Sequence, residues 1–203
     1  MPVKKPVKKR AIRKPAKKKV MKRNKGIPYE IDVDQLMLHS RQLFLHDYVD
    51  KISCRYLIKG LLALDAISHE PIILFISSGG GSCQDGFALI DTMRSIKSPI
   101  VTCIQGYAFS MAGLISLAGD NRVMTANSVW MAHDMSSGVI DYATKIFSRV
   151  EYLKMLQKQL FDYLANHTKL TPKDLQKARV EELWLSPKEC LEKGIVEMIC
   201  AQE

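Results

Sequence analysis

The stretch "SPIVTCIQGYAFSMAGLISLAG", residues 98–119, runs for twenty-two positions without a charge, and its reading decides the fold. Length alone would allow a single membrane-crossing helix. The order of residue types argues otherwise. "PIVTCI" is β-branched and follows a proline, "QGY" interrupts the apolar run with a polar residue and a glycine, and "SMAGLISLAG" has the small-and-apolar pattern of a short buried helix. A strand, a turn and a helix beginning at Ser110 are therefore expected, with no membrane span.

The segment just upstream repeats the plan. "PIILFIS" (71–77) is a continuous apolar run of buried-strand length, "SGGG" follows it, and residues 83–95 place Phe87, Ile90 and Met93 on one side of a helix. Two successive strand–turn–helix units predict an α/β fold built on a parallel sheet. Further out, "RQLFL" (41–45) reads as a strand and residues 48–68 as a helix carrying Ile52, Cys54, Tyr56, Leu57, Ile58, Leu61 and Leu62 at helical spacing. On the C-terminal side, "RVMTA" and "SVWMA" are two short strands, the second ending at His133. An amphipathic helix is expected over 141–166, with Ile146, Val150, Leu153, Leu156, Leu160 and Leu164 on its apolar face. In "SPKECLEKG" (186–194), Ser186 is an N-cap, Pro187 the first helical residue, Glu189 the partner in a capping box and Gly194 the stop, before "IVEMIC" closes the sheet.

Charge divides the chain into two parts. The net charge of +9 suggests a nucleic-acid binder until residues 1–26 are set apart: they hold thirteen Lys/Arg and no acid, leaving seventeen Lys/Arg against twenty-one Asp/Glu in 27–203. The expected domain, 27–203, is thus mildly acidic, and the basic excess lies in an arm whose K-P-V/A-K-K theme has too little apolar content to order itself. Such an arm is a solvated tail, a removable segment, or an electrostatic contact to nucleic acid or an acidic protein. Five cysteines without C-x-x-C spacing, most of them in apolar runs, suit a reducing cytoplasm, and no secretory signal is evident.

Ser110 taken alone looks like an N-cap, since a serine before an apolar helical run is what a cap looks like. It also has chemical potential. The first amides of the helix are unsatisfied, so an oxyanion formed at Ser110 would meet the amide of Met111. A second donor can come from "SSGGG" (77–81), whose glycines let the backbone approach a ligand closely. Neither G-x-S-x-G nor G-K-[ST] is present, which excludes the usual nucleophile elbow motif and a nucleotide-phosphate loop. No metal and no cofactor is called for.

The strand with "SSGGG", together with "ALIDTM", "GYAFSMAGLISLAG", "NSVWMAH" and "LWLSPKECLEKGIV", resembles ClpP, the proteolytic subunit of the ATP-dependent Clp protease, from about residue 41 to 200. The resemblance implies a ClpP/crotonase-like fold with a protruding handle helix at 141–166. It also implies a serine endopeptidase that cleaves unfolded polypeptides inside a homo-oligomer, a heptameric ring or double ring fed by a AAA+ unfoldase. Ser110 then matches the nucleophile, His133 the general base, and Gly81 with Met111 the oxyanion-hole amides. The family's aspartate falls on Glu182, with Glu181 as the neighbouring alternative. A glutamate can orient an imidazole as an aspartate does, with its backbone set slightly further back. "DMSSG" after His133 replaces the family's Gln-Pro-Leu-Gly-Gly pattern, and the arm replaces its short axial loops. Three other functions compete: a catalytically silent ring subunit; a crotonase-type acyl-CoA enzyme, which shares the fold and the paired amides but whose hydratase members rely on carboxylates where this chain offers Ser110 and His133; and a binding module in which the basic arm is the whole function and the fold its platform.

Overall fold

The computed structural model describes residues 32–138 and 140–200. The basic arm assigned to 1–26 lies outside them. From Val33 onward the chain forms one compact unit with the element order α1 (Val33–His39), β1 (Gln42–Leu45), α2 (Lys51–Ile67), β2 (Ile72–Ser78), α3 (Cys83–Ser95), β3 (Ile100–Phe109), α4 (Met111–Ser116), β4 (Asn121–Thr125), β5 (Val129–His133), α5 (Ala143–His167), α6 (Pro172–Val180), β6 (Glu182–Leu185), α7 (Pro187–Glu192) and β7 (Met198–Cys200). Strands β1, β2, β3, β4 and β7 lie side by side in parallel. Strand β5 runs parallel to β3, and β6 is antiparallel to β5. This is the α/β architecture that the alternating pattern predicts.

The charge-free stretch behaves differently from its expected strand, turn and helix at one point. Strand β3 does not stop at Ile104 but continues through "QGYAF" to Phe109. Its pairing with β2 slips by two residues between Ile76–Ile104 and Ser78–Ala108, so Gln105 to Tyr107 bulge out of the ladder. Gly106 sits at φ 84°, a conformation open to glycine. The bulge forks the sheet: residues 101–104 of β3 pair with β4, and residues 107–109 pair with β5. The backbone polar groups exposed at the fork are satisfied by buried Ser128, whose hydroxyl accepts from the Gly106 N–H (3.0 Å) and donates to the Ile104 carbonyl (3.1 Å). Thr125 Oγ1 lies 2.6 Å from the same hydroxyl.

Helix α2 starts three residues later than the periodicity suggests. Asp50 caps it, accepting from the Ile52 and Ser53 amides at 2.8 Å each, and Val49 is drawn into a bridge with Gly81. Helix α3 occupies the expected span, and α7 has the expected Ser186–Glu189 capping box. Helix α6 carries too few apolar residues in period to announce itself, and α1 and β6, at seven and four residues, are too short to do so. Thr171 and Asp174 cap α6 reciprocally, and Lys193 at the end of α7 reaches Asp174 at 2.8 Å. That ammonium is the chief reason the Asp174 carboxyl is held down at about 2. The contact clips together the two helices that flank β6.

The core is one cluster running from Leu43 and Leu61 through Ile76, Ile104 and Trp130 to Leu164 and Ile195. Helix α5 changes character along its length. Leu156, Leu160, Phe161, Tyr163 and Leu164 are buried, whereas Phe147 is 80 % exposed and Met155 61 %. Among the described residues no helix is long and apolar enough to cross a membrane.

Arg41 joins α2 to the start of the sheet. At φ 58°, it sends its guanidinium to the carbonyls of Leu64, Ser68, Glu70 and Pro71 and to the hydroxyls of Ser68 and Ser98, at 2.7–3.2 Å. A planar fork serves these partners where an ammonium cannot. Arg41→Ala, and Arg41→Lys nearly as much, are expected to destabilise the fold by about 2–3 kcal/mol, lowering Tm by several degrees in a thermal melt. Unchanged Tm in both variants would show that these bonds contribute nothing net.

Candidate active site

Ser110 stands where β3 becomes α4. Its N–H donates to the Met131 carbonyl (2.9 Å), extending the β3–β5 ladder by one rung, and its carbonyl accepts from the Leu114 N–H (3.3 Å), the first bond of the helix. Held from both sides, it takes φ 53° and ψ −126°, a left-handed backbone costing about 1–3 kcal/mol in a non-glycine residue. Its hydroxyl makes no capping bond, so the N-cap role suggested by the sequence belongs to the backbone alone. The result is a sharp strand-to-helix turn made without the G-x-S-x-G motif. Helix α4 is buried throughout, which accounts for its small residues. A side chain at Gly113 would come within 3.0 Å of the Trp130 indole nitrogen, and one at Gly86 of α3 within 2.4 Å of the Met111 side chain.

The glycine loop lies against this turn. A Cβ at Gly80 would come within 2.6 Å of the Phe109 carbonyl and 2.8 Å of the Met111 nitrogen, and Gly80 has φ 89°. Buried Ser78 fixes the loop by donating to the Asp47 carbonyl (2.6 Å) and accepting from the Gly80 N–H (3.2 Å). On its other side, Val49 donates to the Gly80 carbonyl (2.9 Å) and accepts from the Ser82 N–H (2.7 Å). In such a parallel bridge the middle residue, Gly81, turns its own N–H and carbonyl away from Val49. The Met111 amide, in the first turn of α4, has no partner within the helix.

Ser110, His133, Gly81 and Met111 all line one cleft of about 500 Å³. Its apolar wall includes Leu114 of α4 and Leu153, Leu156 and Leu160 of α5. His133 ends β5, and neither its ring nor the Ser110 hydroxyl hydrogen-bonds to a described residue. Glu182 does not line the cleft. It lies directly across from His133 in the antiparallel β5–β6 pair, and its carboxylate accepts from the Trp184 indole N–H at 3.0 Å. Glu181 falls outside that pair, at the C-cap of α6. Cys83 also lines the cleft, but burial pushes its thiol up, so it stays protonated at neutral pH and is a poor competing nucleophile. Among the described residues, no three His, Cys, Asp or Glu side chains converge as a metal site would require.

Two polar contacts that the sequence does not advertise tie α5 to the cleft. Gln84 at the start of α3 donates to the Tyr152 hydroxyl (2.7 Å), and Gln157 donates to Asp134, next to His133, at 2.5 Å. The departure at "DMSSG" was the one visible sign of the second contact.

Comparison with known proteins adds independent information. The sequence model of the Clp protease family matches residues 25–203. The ATP-dependent Clp protease proteolytic subunit 2 of Treponema denticola is 31 % identical, covering 83 % of this chain and 87 % of its own length. The corresponding subunit of Deinococcus radiodurans is 29 % identical over 84 % and 85 %, and subunit 1 of Chlamydia muridarum 30 % over 82 % and 90 %.

Because the glycine loop sits within van der Waals range of the serine turn, Gly80→Ala must displace it. The variant is expected to lower stability by about 1–3 kcal/mol, through φ strain and contact together, as measured by denaturant unfolding. A wild-type unfolding midpoint would refute this close approach.

Proposed function

Since this chain belongs to the Clp protease family, we propose that it is a serine endopeptidase working through Ser110, His133 and Glu182. The observation carrying this reading is the strained backbone of Ser110 at a strand-to-helix turn, on a cleft shared with His133. Backbone strain persists where the surrounding structure over-determines it, and nucleophile turns are such places.

The chemistry follows from the groups. Ser110 Oγ attacks the carbonyl carbon of a peptide bond while His133 takes its proton. The carbonyl oxygen, now negative, is held by the amides of Gly81 and Met111, each worth about 3 kcal/mol in the transition state. His133 returns the proton to the leaving amine, and water attacks the acyl-enzyme by the same route in reverse. Glu182 fixes the tautomer of the imidazole and balances its charge. Its position across from His133 supports this assignment, and Glu181 lacks that pairing. Catalytic hydrogen bonds are often loose before substrate arrives, so an unbonded hydroxyl and ring suit a resting site.

The substrates in this reading are unfolded polypeptides, delivered by a AAA+ unfoldase into a homo-oligomeric ring of seven or a stacked pair of rings. The exposed apolar first half of α5, with Phe147, Tyr152 and Met155, supports burial against other copies.

Peptidase assays and fluorophosphonate labelling test the site. Wild type should be labelled and Ser110→Ala should not. Ser110→Ala, His133→Ala and Glu182→Gln should each lose about 10⁴-fold in kcat or more, with Glu181→Gln spared. Loss in Glu181→Gln alone would reassign the acid, and an unlabelled wild type would make this a silent subunit. Light scattering should give a mass several times that of one chain, and a monomer would refute the ring.

A further inference from the structure

Strand β6 puts Glu182 and Trp184 on one face, two residues apart, opposite His133 and Met131 of β5. The other face of the same pair, Trp130, Ala132, Leu183 and Leu185, is fully buried. Trp184 is 47 % exposed, so its ring is not needed to fill the core, yet its one polar atom is engaged with the Glu182 carboxylate at 3.0 Å.

The indole is itself held. The Phe109 ring meets it edge-on, at 5.0 Å between centroids and 78° between planes, and Tyr107 lies 4.8 Å from Phe109. Phe109 immediately precedes Ser110 and pairs with Met131, which pairs with Trp184. An aromatic bracket therefore runs across three strands, from the residue before the serine to the residue holding the glutamate. A glutamate on an exposed strand face has one more torsion to freeze than an aspartate, at an entropic cost. A donor fixed to one oxygen removes that freedom. The other oxygen, Oε1, has no partner among the described residues and is within cross-strand reach of position 133.

Resting on the Ser110–His133–Glu182 reading, we infer that Trp184 is a positioning residue: its indole N–H clamps one oxygen of Glu182 and leaves the other for the imidazole of His133. The bracket compensates for the longer acid in this chain.

Trp184→Phe keeps the ring edge against Phe109 and deletes only the N–H. In the intact oligomer, with a fluorogenic peptide, it should lower kcat about 10-fold at unchanged KM, the value of one hydrogen bond to a charged group. In a Glu182→Asp background, where the shorter carboxylate no longer reaches the indole, Trp184→Phe should change kcat by less than about 2-fold. Equal losses in both backgrounds would mean that the ring only packs, and a gain in turnover would mean that the indole parks the acid; either overturns the inference. The contact is read separately by ultraviolet resonance Raman, subtracting the Trp184→Phe spectrum to remove Trp130. The hydrogen-bond-sensitive indole band should shift in Glu182→Ala, and its constancy would also overturn the inference. If that band shifts but wild type neither turns over peptide nor takes the fluorophosphonate, the peptidase reading fails and the positioning role goes with it. An active wild type with equal losses removes the positioning role alone.

Discussion

The site depends on a fork in one strand. The third strand can pair with two neighbours along the same edge only because Gln105–Tyr107 bulge out of its ladder, turning its second half toward a different partner. A bulge breaks backbone hydrogen bonds, and buried amides left bare cost about 1–3 kcal/mol each. Ser128, in the turn between the two competing partners, supplies a hydroxyl that both donates and accepts there. Its small side chain thus serves the strand it touches and the branch that carries His133.

The geometry of Ser110 follows from that fork. The branch strand brings Met131 alongside Ser110, and the resulting rung fixes the amide side of the serine while α4 fixes its carbonyl side. Between two such constraints the backbone has no relaxed conformation available, and φ 53° is the outcome. The buried helix behind it cannot yield, because Gly86 and Gly113 have let its neighbours close in to contact distance. The glycine loop completes the arrangement. With Val49 against Gly81 and Met111 against Gly80, only residues without a Cβ fit at those two positions.

The long helix plays two parts. Its second half is core, and at its middle Leu153, Leu156 and Leu160 wall the cleft with two side-chain bonds holding it in place. Its first half carries exposed apolar and aromatic side chains. The cleft wall and the exposed apolar face are thereby mounted on one rigid element, so a displacement of one is felt by the other.

The sequence by itself determined the local elements with strong signals: the buried strand before the glycines, helix α3, the capped α7, and the start of a helix at Ser110. It also drew attention to Ser110 and the glycine loop, because small residues beside buried strands are visible in one dimension, whereas His133 at its strand end stood out only through the resemblance to the ClpP family. The weakly apolar α6 and the four-residue β6 escaped it, since their places are set by neighbours rather than by a periodicity long enough to read. Only the tertiary structure decided that β3 runs on through Gly106, that the Ser110 hydroxyl caps nothing, and that Glu182 stands across from His133 with its carboxylate on Trp184. Strand register and side-chain partnership depend on residues tens of positions apart, and pairing across that distance is settled by the energy of the assembled sheet, which no local window of residues contains.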